Sequence, residues 1–234
     1  MAQKANPKAL RLGLVVPWSS RWFFKKSLRY FIEEDQLIYR LVREKVLQAG
    51  LASVNIERLG DQIKVIIRAA RPGLIIGRGG KGVDELRILI QKKIVAFRKK
   101  NNQPLNFILN INIEELKRSE VSAAVIAQQI AFDIEKRLPY RSVIKRALQL
   151  IMQNREVKGA KIKVAGRLNG AEIARRDQIH EGQMPLQTLR ANIDYGEATA
   201  FNTYGTVGIK VWIYKGELFD KDLNSKLEKE VQIF

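Results

Sequence analysis

The chain has 234 residues and 26.8 kDa, 46% of them hydrophobic and 28% charged, which is the composition of a folded protein and the length of one large domain or two small ones. Forty-two Lys and Arg against 24 Asp and Glu leave a formal charge of +18, an imbalance that repels itself in a compact state and points to a polyanionic partner, nucleic acid first and anionic membrane second. With no Cys and one His, His180, the chain has no means to build a disulfide framework, a Cys/His zinc site or a thiol nucleophile, and a serine triad would have to use His180 as its base.

From Met1 to Ile32 there are seven basic residues and no acid, with Trp18, Trp22, Phe23, Phe24 and Tyr30 among them. Lys4 and Arg11 belong to this basic N-terminal arm. Its aromatics suit either stacking on bases or packing the arm onto a domain. The segment Met1–Pro7 lacks the apolar stretch of a secretory signal, and apolar runs such as Leu14–Trp18 fall far short of the ~20 residues of a membrane span, so a soluble, unexported protein without a membrane partner is expected.

Leu37, Leu41, Val42 and Val46 recur at helical spacing in Glu33–Ala49, and Gly50 is a stop signal. Val54 and Ile56, then Ile63, Val65 and Ile67, alternate on either side of Leu59-Gly60-Asp61, which predicts two strands joined by a tight turn. A glycine-rich stretch from Arg71 to Gly82 leads into an amphipathic helix from about Val83 to Arg98, and Phe107, Leu109, Ile111 and Ile113 mark a third strand. The order is helix, strand, strand, short helix, glycine loop, helix, strand. A polar boundary at Glu115–Ser119 follows, and Ser119 is positioned to cap a helix reaching Leu138. After Pro139 a second helix runs from Tyr140 to about Asn154, and then strands are expected at Lys161–Ala165, Leu186–Tyr195 and Thr206–Tyr214. The fold class is therefore α+β, with domains at 33–117 and 118–216 between the arm, 1–32, and a charged tail, 217–234.

Gly77, Gly79 and Gly82 fit the spacing G-x-G-x-x-G, which cradles a dinucleotide pyrophosphate when a parallel strand leads directly into it. Here Pro72–Ile76 intervenes, the preceding strands read as a hairpin, and the nearest suitable acid, Glu114, lies 32 residues past Gly82. Ile76-Gly77-Arg78-Gly79-Gly80 also fits the Ile-Gly-x-x-Gly loop of a KH domain, in which glycine lets the main chain approach phosphates and helix amides receive them, with Arg78 and Lys81 adding charge. A plain tight turn is the alternative. No Walker loop is present, because Gly82 stands where Ser or Thr is required. Ser142-Val143-Ile144-Lys145 matches S-x-x-K without the partner motifs of that chemistry.

Wound at ~100° per residue, Tyr140–Met152 gathers Val143, Ile144, Ala147, Leu148, Leu150 and Ile151 on one arc and Arg141, Ser142, Lys145, Arg146 and Gln149 on the other. Arg137 just precedes it, and Arg167, Arg175 and Arg176 extend a block, Lys136–Arg176, in which twelve basic residues face two acids. A solvated basic face is the ordinary reading of such an arc; the scarcity of acids favours a phosphate partner.

Leu10-Arg11-Leu12-Gly13, Pro17-Trp18, Ala70-Arg71-Pro72-Gly73 leading to Ile76-Gly77, Val164–Arg175, Pro185–Ala191 and Tyr204–Ile213 resemble the third protein of the small ribosomal subunit in its bacterial or organellar form. The resemblance covers nearly the whole chain to Gly216. It implies a type II KH domain followed by a second α+β domain with two helices on a mostly antiparallel sheet, bound to ribosomal RNA in the head of the subunit where mRNA enters, beside neighbouring head proteins such as those numbered ten and fourteen. It also implies a grip on mRNA and help in unwinding it, through a basic trio of which Arg141 and Lys145 are two members and Ser142 replaces the middle one. Asn6 precedes Pro7 where that family carries His.

The RNA-contacting set expected from residues and resemblance together is Lys4, Arg11, Arg71, Gly77, Arg78, Gly79, Gly80, Lys81, Arg137, Arg141, Lys145, Arg146, Arg167, Arg175 and Arg176. No catalytic residue, metal or cofactor is expected. The reading is of a ribosomal RNA-binding protein in the cytoplasm or an organelle; a free KH-domain regulator of RNA is the alternative, and a nucleotide-dependent enzyme the third.

Overall fold

A computed structural model of the chain describes residues 4–22, 28–117 and 120–219, which divide into two compact units, Ser19–Glu120 and the pair of segments Met1–Trp18 and Val121–Phe234. The chain begins with one helical turn, α1 (Pro7–Leu10). The Ser19–Glu120 unit then runs β1 (Ser20–Trp22), α2 (Leu28–Val46), β2 (Leu51–Leu59), β3 (Gln62–Ala69), α3 (Pro72–Ile76), α4 (Lys81–Lys100) and β4 (Ile108–Glu115). The rest runs α5 (Ala123–Glu135), α6 (Tyr140–Met152), β5 (Gly159–Gly166), β6 (Arg175–Gly182), β7 (Ala191–Asn202) and β8 (Gly205–Glu217).

In the first unit the sheet order is β1-β2-β3-β4. β2 and β3 form the expected antiparallel hairpin, while β4 lies parallel to β3, so α3 and α4 make the crossover between them. Val54, Ile56, Ile63, Val65 and Ile67 are buried against Ile38, Val42 and Val46 of α2 and Leu86, Ile90 and Ile94 of α4, because two-residue strand periodicity and helical periodicity deliver their apolar residues to one shared core. β1, parallel to β2, is an addition at the edge that three residues with one aromatic do not announce.

Four charged side chains are locked inside this unit. Glu34 of α2, at 0% exposure, accepts Arg58 Nη1 on Oε2 at 2.7 Å and Arg98 Nε on Oε1 at 2.7 Å. Arg58 Nε also donates to Asp35 Oδ1 at 2.9 Å, and Arg98 Nη1 to the Pro104 carbonyl at 3.0 Å. Phe31 and Phe107 lie 5.0 and 4.7 Å from the two guanidinium carbons, so each cation has a ring on one side and a carboxylate at its edge. Burial raises the Asp35 carboxyl above its ordinary value, with Arg58 opposing it. One network thus joins α2, β2 and α4.

In the second unit the sheet order is β6-β5-β8-β7, antiparallel throughout. Val207, Ile209, Val211 and Ile213 of β8 face α5 and α6 in a core with Ile130, Ile134, Ile144, Leu148 and Ile151. α5 approaches closely because Ala123, Ala127 and Ala131 are small and because position 196 is glycine, where a Cβ would stand 2.4 Å from the Ala123 carbonyl oxygen. The expected cap residue, Ser119, lies outside the described residues. At the start of α5, Asp194 of β7 accepts the Ala123 N–H on Oδ2 at 2.7 Å while its Oδ1 pairs with Lys8 Nζ at 2.8 Å.

Three expectations for this unit are corrected. The strand expected from Leu186 begins at Ala191; the loop before it turns its Leu186 and Thr188 carbonyls toward Arg11. β6 was not expected, because Arg175–Gly182 is a polar edge strand with no apolar alternation to reveal it. Leu150 is exposed rather than buried, standing at the margin of the apolar arc of α6.

Nor is the basic stretch before residue 32 one arm. Its first part packs with the second unit, while Ser20–Trp22 and the start of α2 belong to the first. Arg11 is at 0% exposure, its Nη2 donating to the Leu186 and Thr188 carbonyls at 2.9 and 2.8 Å and its Nη1 to the Pro7 carbonyl at 3.1 Å. It is therefore a fastener and not a phosphate contact.

Removing the shared carboxylate should expose how much the first unit depends on it. Glu34→Ala leaves Arg98 buried without a carboxylate and Arg58 with Asp35 alone, and should lower stability by about 3–5 kcal/mol, whereas Glu33→Ala, which breaks a surface pair with Arg29, should change it by less than about 0.5 kcal/mol. Urea denaturation of the full chain followed at the first unit's aromatics measures both. Arg11→Met should cost about 1–3 kcal/mol in the second unit, because buried carbonyls lose their donor.

Candidate nucleic-acid interface

The glycine loop joins two helices. α3 stops at Gly77, with φ +68°, and Gly79 and Gly80 follow at +64° and +80° before α4 begins. Nothing lies within 4 Å of where a Cβ would stand on Gly79 or Gly80, so glycine is required there by the backbone angle and the outer side of the loop is open. Gly82 is required for the opposite reason: a Cβ there would meet the Ile75 carbonyl oxygen at 2.3 Å, which shows α3 and α4 in backbone contact. No side chain caps α4, so a twenty-residue helix presents its first amide donors and positive dipole end at the loop. Arg71, Arg78 and Lys81 are exposed around it. A dinucleotide turn has a different construction, a parallel strand feeding its helix directly; here α3 separates β3 from the loop.

On α6 the two arcs separate as their spacing requires. Val143, Ile144, Leu148 and Ile151 are buried, while Arg141, Ser142, Lys145, Arg146 and Gln149 are exposed. Arg141 is oriented by donating its Nε to the Tyr140 hydroxyl at 3.0 Å, and its closest acid, Asp177 Oδ2, is 3.9 Å away. Its side chain stays 76% exposed, so this pair neutralises little of its charge. Lys145 and Arg146 continue the same side one turn on.

The remaining residues of the expected set lie in the second unit. Arg137 is exposed in the turn between α5 and α6, at φ +62°. Arg175 and Arg176 are exposed on the edge strand β6. Arg167 is half-buried and partly committed to the protein, donating Nε to the Ala171 carbonyl at 2.8 Å and Nη1 to the Tyr204 carbonyl at 3.0 Å. Lys4 is exposed. Arg98, near the end of α4, is withdrawn into the Glu34 network.

One basic surface was missed. On the side of the second sheet away from α5 and α6, register places Lys163 opposite both Lys210 and Gln178, and Lys161 opposite both Trp212 and His180. Burial first, then the charges of Lys4 and Lys163, lower the pKa of Lys161, and its Nζ sits 6.0 Å from the Trp212 ring. The alternation in β5 and β8 held this signal, but only the pairing with β6 assembles it.

Comparison with known proteins bears on both units. Residues 37–121 match the family described as KH domain, and residues 130–213 match Ribosomal protein S3, C-terminal domain. Proteins named Small ribosomal subunit protein uS3 are similar along the chain. That of Desulfitobacterium hafniense is 44% identical over 93% of this chain and 94% of its own, that of Clostridium acetobutylicum 41% identical over 98% of each, and that of Thermodesulfovibrio yellowstonii 44% identical over 93% and 95%. With both domains matched in order and identity sustained across nearly all of the sequence, the chain belongs to the uS3 family of small ribosomal subunit proteins.

Proposed function

We infer that the chain is a structural constituent of the small ribosomal subunit, that its glycine loop and exposed basic residues bind ribosomal RNA in the subunit head, and that α6 grips mRNA where it enters. The observation that carries this reading is the two-sided α6. Four apolar residues fix the helix to its core while Arg141, Lys145 and Arg146 stand on the opposite arc with almost no compensating acid.

Fixed cations beside an incoming strand attract whichever single strand emerges as a duplex frays, and so bias fraying toward the open state without hydrolysis. Translocation supplies the work. The glycine loop suits a different task, holding a backbone segment of about four nucleotides against amide donors. Neighbouring head proteins complete the assembly, those numbered ten and fourteen among them, on the ribosome of the cytoplasm or an organelle.

Sedimentation of tagged protein from cells tests the ribosomal assignment, since a free RNA regulator would migrate mainly outside the subunits. For isolated protein, six to ten phosphate contacts should cost ~10³ to 10⁵ in RNA affinity between about 50 and 200 mM salt; a flat response contradicts the electrostatic account. Arg78→Asp with Lys81→Asp should weaken single-stranded RNA binding and leave the melting temperature unchanged, because both side chains are exposed. Arg141→Ala with Lys145→Ala should slow ribosomes on structured mRNA more than on unstructured mRNA, with subunit assembly intact, and Ser142→Arg should strengthen the grip. Equal slowing on both messages would assign these charges to rRNA.

A further inference from the structure

A cavity of about 410 Å³ opens in the second unit between the α5–α6 turn, the turn after β5 and the β7–β8 hairpin. It is large enough for a nucleotide's base and sugar. Two aromatic side chains stand at it without being packed away: Phe201 is 72% exposed and Tyr204 57%. Large aromatics left in water beside a concave surface are unusual, because burying each would be favourable.

The wall around them is built, not incidental. Arg167 holds the hairpin by donating Nη1 to the Tyr204 carbonyl, and its guanidinium carbon lies 5.7 Å from the Tyr204 ring centroid. Glu135 Oε1 accepts the Phe201 N–H at 2.9 Å, so the acid lining the cavity is engaged with backbone. Of the three non-glycine residues with positive φ among the described residues, two line this cavity, Arg137 at +62° and Asn169 at +53°. Such backbone is disfavoured and persists where the surroundings impose it, often at binding sites. Gly170, at φ +78°, lets the Tyr204 ring lie where a Cβ would be 3.4 Å away.

The geometry points to a pocket for one unstacked nucleobase of single-stranded RNA, held against the Phe201 and Tyr204 rings, with Asn169, whose Oδ1 accepts the Tyr140 N–H at 3.4 Å, offering its amide NH₂ to the base edge and Arg137 meeting the adjoining phosphate. This rests on the RNA-binding reading given above and deepens it: the pocket borders Tyr140, the first residue of α6, so a strand running along Arg141 and Lys145 arrives at its rim. A rail of charges grips any polyanion. An aromatic pocket adds hold on a strand whose bases are free, and paired bases are unable to enter it.

The test compares two probes on the full-length protein, a twelve-nucleotide oligouridylate and an abasic oligomer of equal length and charge. Phe201→Ala and Tyr204→Ala should each weaken oligouridylate binding roughly five- to a hundredfold while leaving the abasic probe and the salt slope unchanged; Tyr204→Phe should keep wild-type affinity. Thermal melts confirm the fold of each variant, and Phe201 is so exposed that its truncation removes little packing. Arg141→Ala with Lys145→Ala should instead weaken both probes and flatten the salt slope. If neither aromatic variant changes oligouridylate binding, or both weaken the two probes equally, the base pocket is overturned. Should the double charge variant alone behave as wild type, the rail fails and the pocket stands.

Discussion

Glu34 sits at 0% exposure between two arginines, and this placement shows the constraint that governs the molecule. A chain with eighteen more positive than negative charges folds only if each cation is either satisfied inside by a named acceptor or left where solvent and a polyanion reach it. Arg58 and Arg98 take the first course through Glu34 and Asp35, and Arg11 through three main-chain carbonyls. A buried pair of this kind is weak evidence of net stability, yet removing one member strands the other as an uncompensated buried charge. Arg141, Lys145, Arg146, Arg78 and Lys81 take the second course.

The sorting has a structural logic. The satisfied arginines lie where elements distant in sequence must be joined: α2 to β2 and α4 in the first unit, the segment after α1 to the loop before β7 in the second. The exposed cations lie on elements whose other side is firmly anchored, α6 by its four buried apolar residues and α4 by Leu86, Ile90 and Ile94. A charge is useful to a flexible polyanion only if its own position is fixed, since ordering a mobile side chain on binding opposes the gain.

Much of this was legible in the sequence, because periodicity is local. The helix-strand-strand-helix-helix-strand order, the alternation of β8 and the two arcs of α6 are each written in a window of a dozen residues. Partnership between distant residues is not. Arg11 read as an arm cation because the carbonyls that receive it lie 175 and 177 residues away, and nothing near Arg98 in the sequence marks it for burial, because Glu34 lies 64 residues before it. Edge strand β6 carries Arg, Asp, Gln, His and Glu, so no apolar pattern marks it, and with it missing the open lysine face of the second sheet had no third strand. Within the family motifs, the segments around Arg11 and Pro185–Ala191, and around Arg167 and Tyr204, prove to be pairs in contact.

The division of cations into those that serve the fold and those that serve RNA is open to direct measurement. Ultraviolet crosslinking of intact small subunits translating a defined mRNA, read out by residue, would map which side chains touch RNA. The account predicts crosslinks at the glycine loop, along the exposed arc of α6 and at the aromatic pair Phe201 and Tyr204, with none at Arg11, Arg58 or Arg98. Crosslinks at those three arginines, or an α6 arc that stays uncrosslinked while RNA occupies other surfaces of both units, would contradict it.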